Sequence, residues 1–173
     1  MQTSLYAFSG LPGSGKTTLS QLLAGRVKAT YLRIDTIEQA LRDLCGTVVV
    51  GEGYDLAYRV AADNLRLGVS VVADSCNPIE LTRDAWETLA RDAQARCVNI
   101  EVTCSDAQEH RRRIETRKPS SAGFVPPAWE AVTWEAVLRR EYLPWTKERI
   151  IIDTAGKTED ECFEELLAKL RAL

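Results

Sequence analysis

The sequence has a single histidine, His110. Nothing near it forms a catalytic triad or a metal-ligand pattern, so it reads as a helix-surface residue. Long apolar runs are missing as well. Stretches such as 69–73 are short, and no membrane-spanning helix is expected. No basic-then-apolar leader precedes the first strand, so no secretory signal is expected either. The five cysteines (Cys45, Cys76, Cys97, Cys104 and Cys162) are odd in number and never form C-x-x-C. That excludes a disulfide framework and implies buried, reduced thiols in a cytoplasmic protein. Excess charge of one sign is also lacking. A formal net charge of -3 argues against a broad footprint for duplex nucleic acid. There is no internal repeat, no low-complexity segment and no mark of an obligate protein partner. What remains is 173 residues of ordinary globular composition, enough for one well-cored domain over 1–173 and not comfortably two.

Against these absences stands Gly10-Leu11-Pro12-Gly13-Ser14-Gly15-Lys16-Thr17. It fits G-x-x-x-x-G-K-[ST] at every fixed position. A triphosphate needs a cradle of backbone N–H groups, and side chains at the glycine positions would block its approach. Lys16 supplies charge to the β- and γ-phosphates, and the Thr17 hydroxyl is placed for Mg²⁺. The following helix presents its N-terminus to the anion. ATP contacts are therefore expected from Gly10, Pro12, Gly13, Ser14, Gly15, Lys16, Thr17 and Thr18.

Leu5, Tyr6, Ala7 and Phe8 read as a buried strand ahead of the loop. Leu19, Leu22, Leu23 and Val27 recur at helical spacing after it. Residues 30–34 predict a second strand followed at once by Asp35. Asp35-Thr36-Ile37-Glu38 has the form of a capping box. Residues 46–53 read as a loop and 54–67 as a helix stopped by Gly68. Residues 69–74 are almost continuously apolar and end in Asp74, as a central parallel strand does. Asn77-Pro78-Ile79-Glu80 reads as a helix start: cap, first-position Pro and third-position Glu. Val98, Ile100 and Val102 alternate with Asn99, Glu101 and Thr103, giving a strand with one polar face. Ser105-Asp106-Ala107-Gln108 caps a helix carrying Arg111, Arg112, Arg113, Arg117 and Lys118. Residues 119–127 read as mobile, and a helix over 127–142 follows. Residues 149–153 form the last strand. Thr158-Glu159-Asp160-Glu161 caps the final helix, whose Phe163, Leu166, Leu167 and Leu170 share a face. Five strands alternating with helices predict an α/β domain with a parallel sheet between two helical layers. Ligands bind such sheets at the C-terminal strand edges, and Gly10, Asp35, Asp74 and Thr154 all lie at or just after such ends.

Those positions suggest chemistry. Asp74 ends an apolar strand as a Walker-B carboxylate does and could hold Mg²⁺ with Thr17, or contact substrate. It could also only bond the Ser75–Asn77 turn. Asp35 could accept a proton from an acceptor hydroxyl, orient it, or merely cap its helix. Arg113 and Arg117 are four apart and share a helix face. A lid over 111–127 could bring both onto the phosphates and exclude water; otherwise they form a solvated basic face. Trp86, Trp129, Trp134 and Trp145 read as packing residues, with Trp129 and Trp134 also near an acceptor pocket.

Gly-Leu-Pro-Gly-Ser-Gly-Lys-Thr, then the Asp opening the second helix, then Asp74-Ser75-Cys76-Asn77-Pro78 ahead of Asp84-Ala85-Trp86-Glu87, then Arg113 and Arg117, together resemble the small P-loop kinases. The 5′-kinase domain of phage-type polynucleotide kinase is most similar, with chloramphenicol phosphotransferase and zeta-toxin kinases more distant. The resemblance implies a nucleoside-monophosphate-kinase type of P-loop NTPase fold with strand order 2-3-1-4-5 and an α-helical lid. It implies ATP and Mg²⁺ as cofactors. Lys16, Asp35, Arg113 and Arg117 would be catalytic, and Arg117, Thr154 and Gly156 would lie against the nucleotide. Asp35, Glu38, Arg42, Asp74 and Asn77 would face the acceptor. One departure stands out. Where the polynucleotide enzyme reads a substrate phosphate with an arginine, this chain has Glu38, with Arg42 one turn on. An acid there repels a nucleic-acid phosphate. The expected activity is therefore transfer of the ATP γ-phosphate to a hydroxyl of a small molecule. The rivals are a polynucleotide 5′-hydroxyl kinase and a non-catalytic ATP-binding switch.

Overall fold

Alternating strands and helices build a sheet layered on both faces. The computed structural model describes residues 2–116 and 132–173. The expected mobile segment 119–127, the start of the helix expected over 127–142, and Arg117, Lys118 and Trp129 lie outside them. The strands are β1 (Ser4–Ser9), β2 (Thr30–Arg33), β3 (Val71–Asp74), β4 (Arg96–Thr103) and β5 (Ile150–Asp153). The helices are α1 (Lys16–Val27), α2 (Ile34–Cys45), α3 (Glu52–Arg66), α4 (Glu80–Asp92), α5 (Ala107–Glu115), α6 (Trp134–Arg139) and α7 (Glu159–Arg171). All strand pairings are parallel, in the order β2-β3-β1-β4-β5. That is the order the resemblance implies.

Strand side chains alternate between faces, and the two cores follow from it. Phe8, Val72, Ile100, Val102 and Ile152 pack under α1 and α7, through Leu19, Leu23, Cys162 and Leu166. Leu5, Ala7, Val71 and Ala73 point the other way, onto Ala57, Ala61 and Leu65 of α3 and Trp86 and Ala90 of α4. The polar residues of β4 take this second side, where Asn99 donates to Glu87 of α4 at 2.8 Å. The parallel register aligns Phe8 with Asp74 and Asp74 with Arg33. The chain ends of the three strands therefore emerge in one row.

Several local expectations hold. Asp106 caps α5 by accepting from the N–H groups of Gln108 and Glu109, and Thr158 and Glu161 form the expected capping box on α7. Others change. Asp35 does not cap α2: the helix starts at Ile34, Arg33 occupies the cap position, and no side chain caps it. Ile34 is buried in the second core. Burying such a side chain contributes about 1.5–3 kcal/mol, against about 1 kcal/mol for a cap. Asn77 is not a helix start either, because α4 begins at Glu80 with Ile79 at its cap position. Asn77 is fully buried with a positive φ of 49°, and its amide donates to Ser9 Oγ at 3.0 Å. Within the expected 127–142 helix, the described portion is helical only over α6. All five cysteines are free, but only Cys76 and Cys162 are buried, and Cys45 is exposed. No helix of the described residues is long and apolar enough to cross a membrane.

Candidate active site

β1 delivers the chain to Gly10. A Cβ there would sit 2.3 Å from the Val102 carbonyl oxygen, so this exit from the central strand requires glycine. Gly15 holds a φ of 93° at the cap position of α1. No side chain caps α1 and no acid occupies its first turn. Its first N–H groups and its dipole are thus available to an anion. Lys16 is buried and joins none of the ion pairs among the described residues. Ser14 Oγ is buried without a hydrogen-bond partner. A buried lysine with no ion-pair partner among the described residues and an orphaned hydroxyl fit a bound polyphosphate.

The turn after β3 braces this loop. The Gly10 N–H donates to the Cys76 carbonyl at 3.1 Å, and Ser75 Oγ donates to the Phe8 carbonyl at 3.3 Å. Asp74, at the end of β3, is buried. Its Oδ2 accepts the Tyr31 hydroxyl at 2.7 Å, and Arg33 Nε lies 3.9 Å away. Its Oδ1 has no partner. Burial, and after it the Asp74 charge, raises the Tyr31 phenol above its ordinary value. Tyr31 therefore remains a proton donor to Asp74. Among the described residues no three His, Cys, Asp or Glu side chains cluster as a metal cage. A P-loop magnesium needs none, because phosphates and one or two side chains hold it. Thr17 and the free Asp74 oxygen fit that requirement.

Asp35 lies in the first turn of α2, 3.8 Å from Arg33 and half exposed. Glu38, on the same helix, accepts from Arg42 Nη2 at 3.1 Å. Burial raises the Glu38 carboxyl above its ordinary value, against the lowering hydrogen bond from Arg42. Glu38 packs closely on α3, where a Cβ at Gly53 would fall 2.3 Å from its Cγ. Asn77 is buried beside α3, its N–H donating to the Tyr54 hydroxyl at 2.9 Å.

On the other side of the loop, α5 packs directly on the P-loop. His110 is buried, and its Nε2 lies 2.7 Å from the Pro12 carbonyl. A carbonyl only accepts, so Nε2 carries the proton. The Trp134 ring meets the imidazole edge-on, 5.2 Å away. His110 is thus a buried loop contact and not the helix-surface residue expected. Arg113 is also anchored, donating to Thr154 Oγ1 at 2.7 Å, to the Thr154 carbonyl at 3.0 Å and to Glu109 at 2.6 Å. Glu109 in turn accepts the Gly156 N–H at 2.9 Å. Thr154 Oγ1 lies 2.9 Å from the Ser14 carbonyl. α5, the loop after β5 and the P-loop therefore form one unit. It encloses a cavity of about 270 Å³ lined by Gly13, Thr18, Arg113, Thr154, Lys157 and Cys162, among others.

The structure brings the P-loop, Asp74, Asn77, Arg113, Thr154 and Gly156 together, with Asp35, Glu38 and Arg42 on the neighbouring α2. Arg117 falls outside the described residues. Tyr31, Arg33 and Tyr54 did not stand out in the sequence, and nothing there marked His110 as a loop contact. For Tyr31 and Arg33 a signal existed. They are two apart on one strand, so they share a face, and that strand runs directly beside the one ending in Asp74. His110 carried none, since a lone histidine has the same signature on a surface as under a loop.

A model of the AAA domain family matches residues 5–140. Among solved structures, a Chloroflexus aurantiacus protein superposes with TM-score 0.70 at 22% identity, covering 97% of this chain and 98% of that one. A gluconokinase from Sinorhizobium meliloti gives 0.68 at 17%, covering 99% and 93%. The APS kinase of Mycobacterium tuberculosis, solved with AMPPNP and APS, gives 0.67 at 15%, covering 98% of each chain. No curated protein sequence matches.

Proposed function

The chain belongs to the AAA domain family, and from that premise we propose that it is an ATP-dependent phosphotransferase, moving the γ-phosphate of ATP to a hydroxyl of a small molecule. The observation that carries this reading is the convergence at one sheet edge of an uncapped helix, a buried lysine that joins no ion pair among the described residues, the acid that ends β3 and the acid in the first turn of α2. A nucleotide switch has no use for an exposed carboxylate beside its phosphates. The similar structures are named a gluconokinase and an APS kinase, which supports phosphoryl transfer to a small acceptor. Polynucleotide kinase remains the rival. Against it, Arg42 is engaged by Glu38 at 3.1 Å and is poorly placed to read a terminal phosphate.

In this mechanism the loop N–H groups and Lys16 hold the β- and γ-phosphates, and the cavity between Arg113, Thr154 and Lys157 takes the nucleoside. Thr17 and Asp74 would hold Mg²⁺, which when bound neutralises charge on the phosphate oxygens. Asp35 orients the acceptor hydroxyl. The acceptor oxygen bonds to the γ-phosphorus, the bond to the β-phosphate oxygen breaks, and ADP leaves. The hydroxyl proton passes to Asp35 or through it to water. Arg117 would complete the charge clamp.

An acceptor screen following ADP release tests this across sugars, sugar acids, nucleosides and 5′-hydroxyl oligonucleotides. The expected result is acceptor-dependent release, reduced by about 10²–10³-fold in Lys16→Ala with the circular dichroism spectrum unchanged. Robust end-labelling of oligonucleotides, lost in Asp35→Asn, moves the assignment to the polynucleotide reading. Wild-type turnover in Lys16→Ala refutes the P-loop role.

A further inference from the structure

The only histidine of the chain is buried and takes no part in the chemistry proposed above. It sits one turn into α5, where its backbone N–H donates to the Asp106 carbonyl at 2.9 Å. Its ring is held on two sides. Trp134, at the start of α6, meets it edge-on at 5.2 Å, and Nε2 donates to the Pro12 carbonyl at 2.7 Å. Beside this bond α5 presses on the loop. A Cβ at Gly13 would fall 2.7 Å from Ile114 Cδ1 and 3.2 Å from His110 Cδ2.

The Pro12–Gly13 peptide inherits this hold. It is trans, and across a planar trans peptide the carbonyl and the following N–H point in opposite directions. A Pro12 carbonyl bonded to α5 therefore turns the Gly13 N–H away from α5. That N–H joins no hydrogen bond among the described residues. Its neighbours differ. Pro12 has no N–H to offer, and the Ser14 N–H donates to the Leu11 carbonyl at 3.2 Å. The Ser14 carbonyl is itself 2.9 Å from Thr154 Oγ1, which turns the Gly15 N–H away from Thr154 by the same geometry.

We propose that His110 is a positioning residue for the polyphosphate: by holding the Pro12 carbonyl, it aims the Gly13 N–H at a phosphate oxygen. This rests on the P-loop part of the kinase reading and on no acceptor. A donor already aimed needs no reorganisation when the anion arrives. Without Nε2–H the peptide plane can turn, and that advantage is lost.

The test uses inorganic tripolyphosphate with Mg²⁺ as the probe. It compares wild type with His110→Phe, which keeps a ring against Trp134 but has no donor, and with His110→Gln, whose amide nitrogen can donate. In wild type, the probe should move the Gly13 amide proton downfield in the NMR spectrum of ¹⁵N-labelled protein, and the lone histidine should carry a proton on Nε2. His110→Phe should raise the calorimetric Kd by about tenfold and lose most of the Gly13 shift at saturation. His110→Gln should recover part of both. A merely structural role lowers Tm in His110→Phe but leaves the saturated Gly13 shift whole. That result, or an unchanged Kd, overturns the proposal. Should His110→Phe not fold, the wild-type spectra decide: an unmoved Gly13 amide, or a ring protonated at Nδ1 alone, overturns it. The expected signatures with no acceptor releasing ADP remove the kinase reading and leave the role of His110 standing. Absence of tripolyphosphate binding in wild type overturns both.

Discussion

Of the two Asp74 oxygens, Oδ2 accepts the Tyr31 hydroxyl and Oδ1 has no partner. One hydrogen bond thereby leaves a single oxygen free for the proposed magnesium. Removing a hydrogen bond to a charged group costs about 1.5–3 kcal/mol, so Tyr31→Phe should weaken Mn²⁺ binding to the nucleotide-loaded protein by about tenfold. Electron paramagnetic resonance of Mn²⁺ measures this directly, and unchanged affinity would remove Tyr31 from the site. Arg113 is a second case. Its bonds run to Thr154 and Glu109, on the cavity side of the loop. Arg113→Ala should therefore raise the Kd for ATP by about tenfold while changing kcat less. A fall in kcat with Kd intact would place Arg113 on the transferring phosphoryl instead.

The helices divide by what competes with their caps. Asp106 and Thr158 keep their capping bonds, because both precede exposed first turns where no core contact intervenes. Asp35 and Asn77 carry equally good cap signatures, yet burial of Ile34 and the Asn77 bond to Ser9 decide those starts. Capping is worth about 1 kcal/mol, and a buried side chain or a tertiary bond outweighs it. α5 carries His110 against the phosphate loop and Arg113 against Thr154, beside the proposed nucleotide site, so its cap has consequences beyond stability. Asp106→Ala should lower stability by about 1 kcal/mol and Tm by about 2–4 °C, with weaker ATP binding. A calorimetric scan with and without ATP checks both, and a Tm unchanged in either condition contradicts the role of the cap.

At the scale of the molecule, Arg83 joins three parts of the chain. It donates to four carbonyls from the Asn77–Pro78 turn and Leu143–Pro144, and it lies over the Trp145 ring at 4.2 Å. Arg83→Met removes this donor from the Asn77, Leu143 and Pro144 carbonyls, while Pro78 keeps only the Leu143 N–H. The expected loss is about 3 kcal/mol or more, a Tm drop of about 6–12 °C, with acceptor use impaired more than ATP binding. A drop under about 2 °C would show that the segment after α6 is held by other contacts.

The sequence by itself determined the strand–helix alternation, the P-loop motif and the acid at the end of β3. Each is written in neighbouring residues, as a period, a glycine spacing or the last residue of an apolar run. Only the tertiary structure decided that Tyr31 meets Asp74, 43 residues away, and that Arg113 meets Thr154, 41 residues away. Those meetings depend on sheet order and on the rotation of each helix over the sheet. Both are set by packing among residues distant along the chain, so no local pattern encodes them.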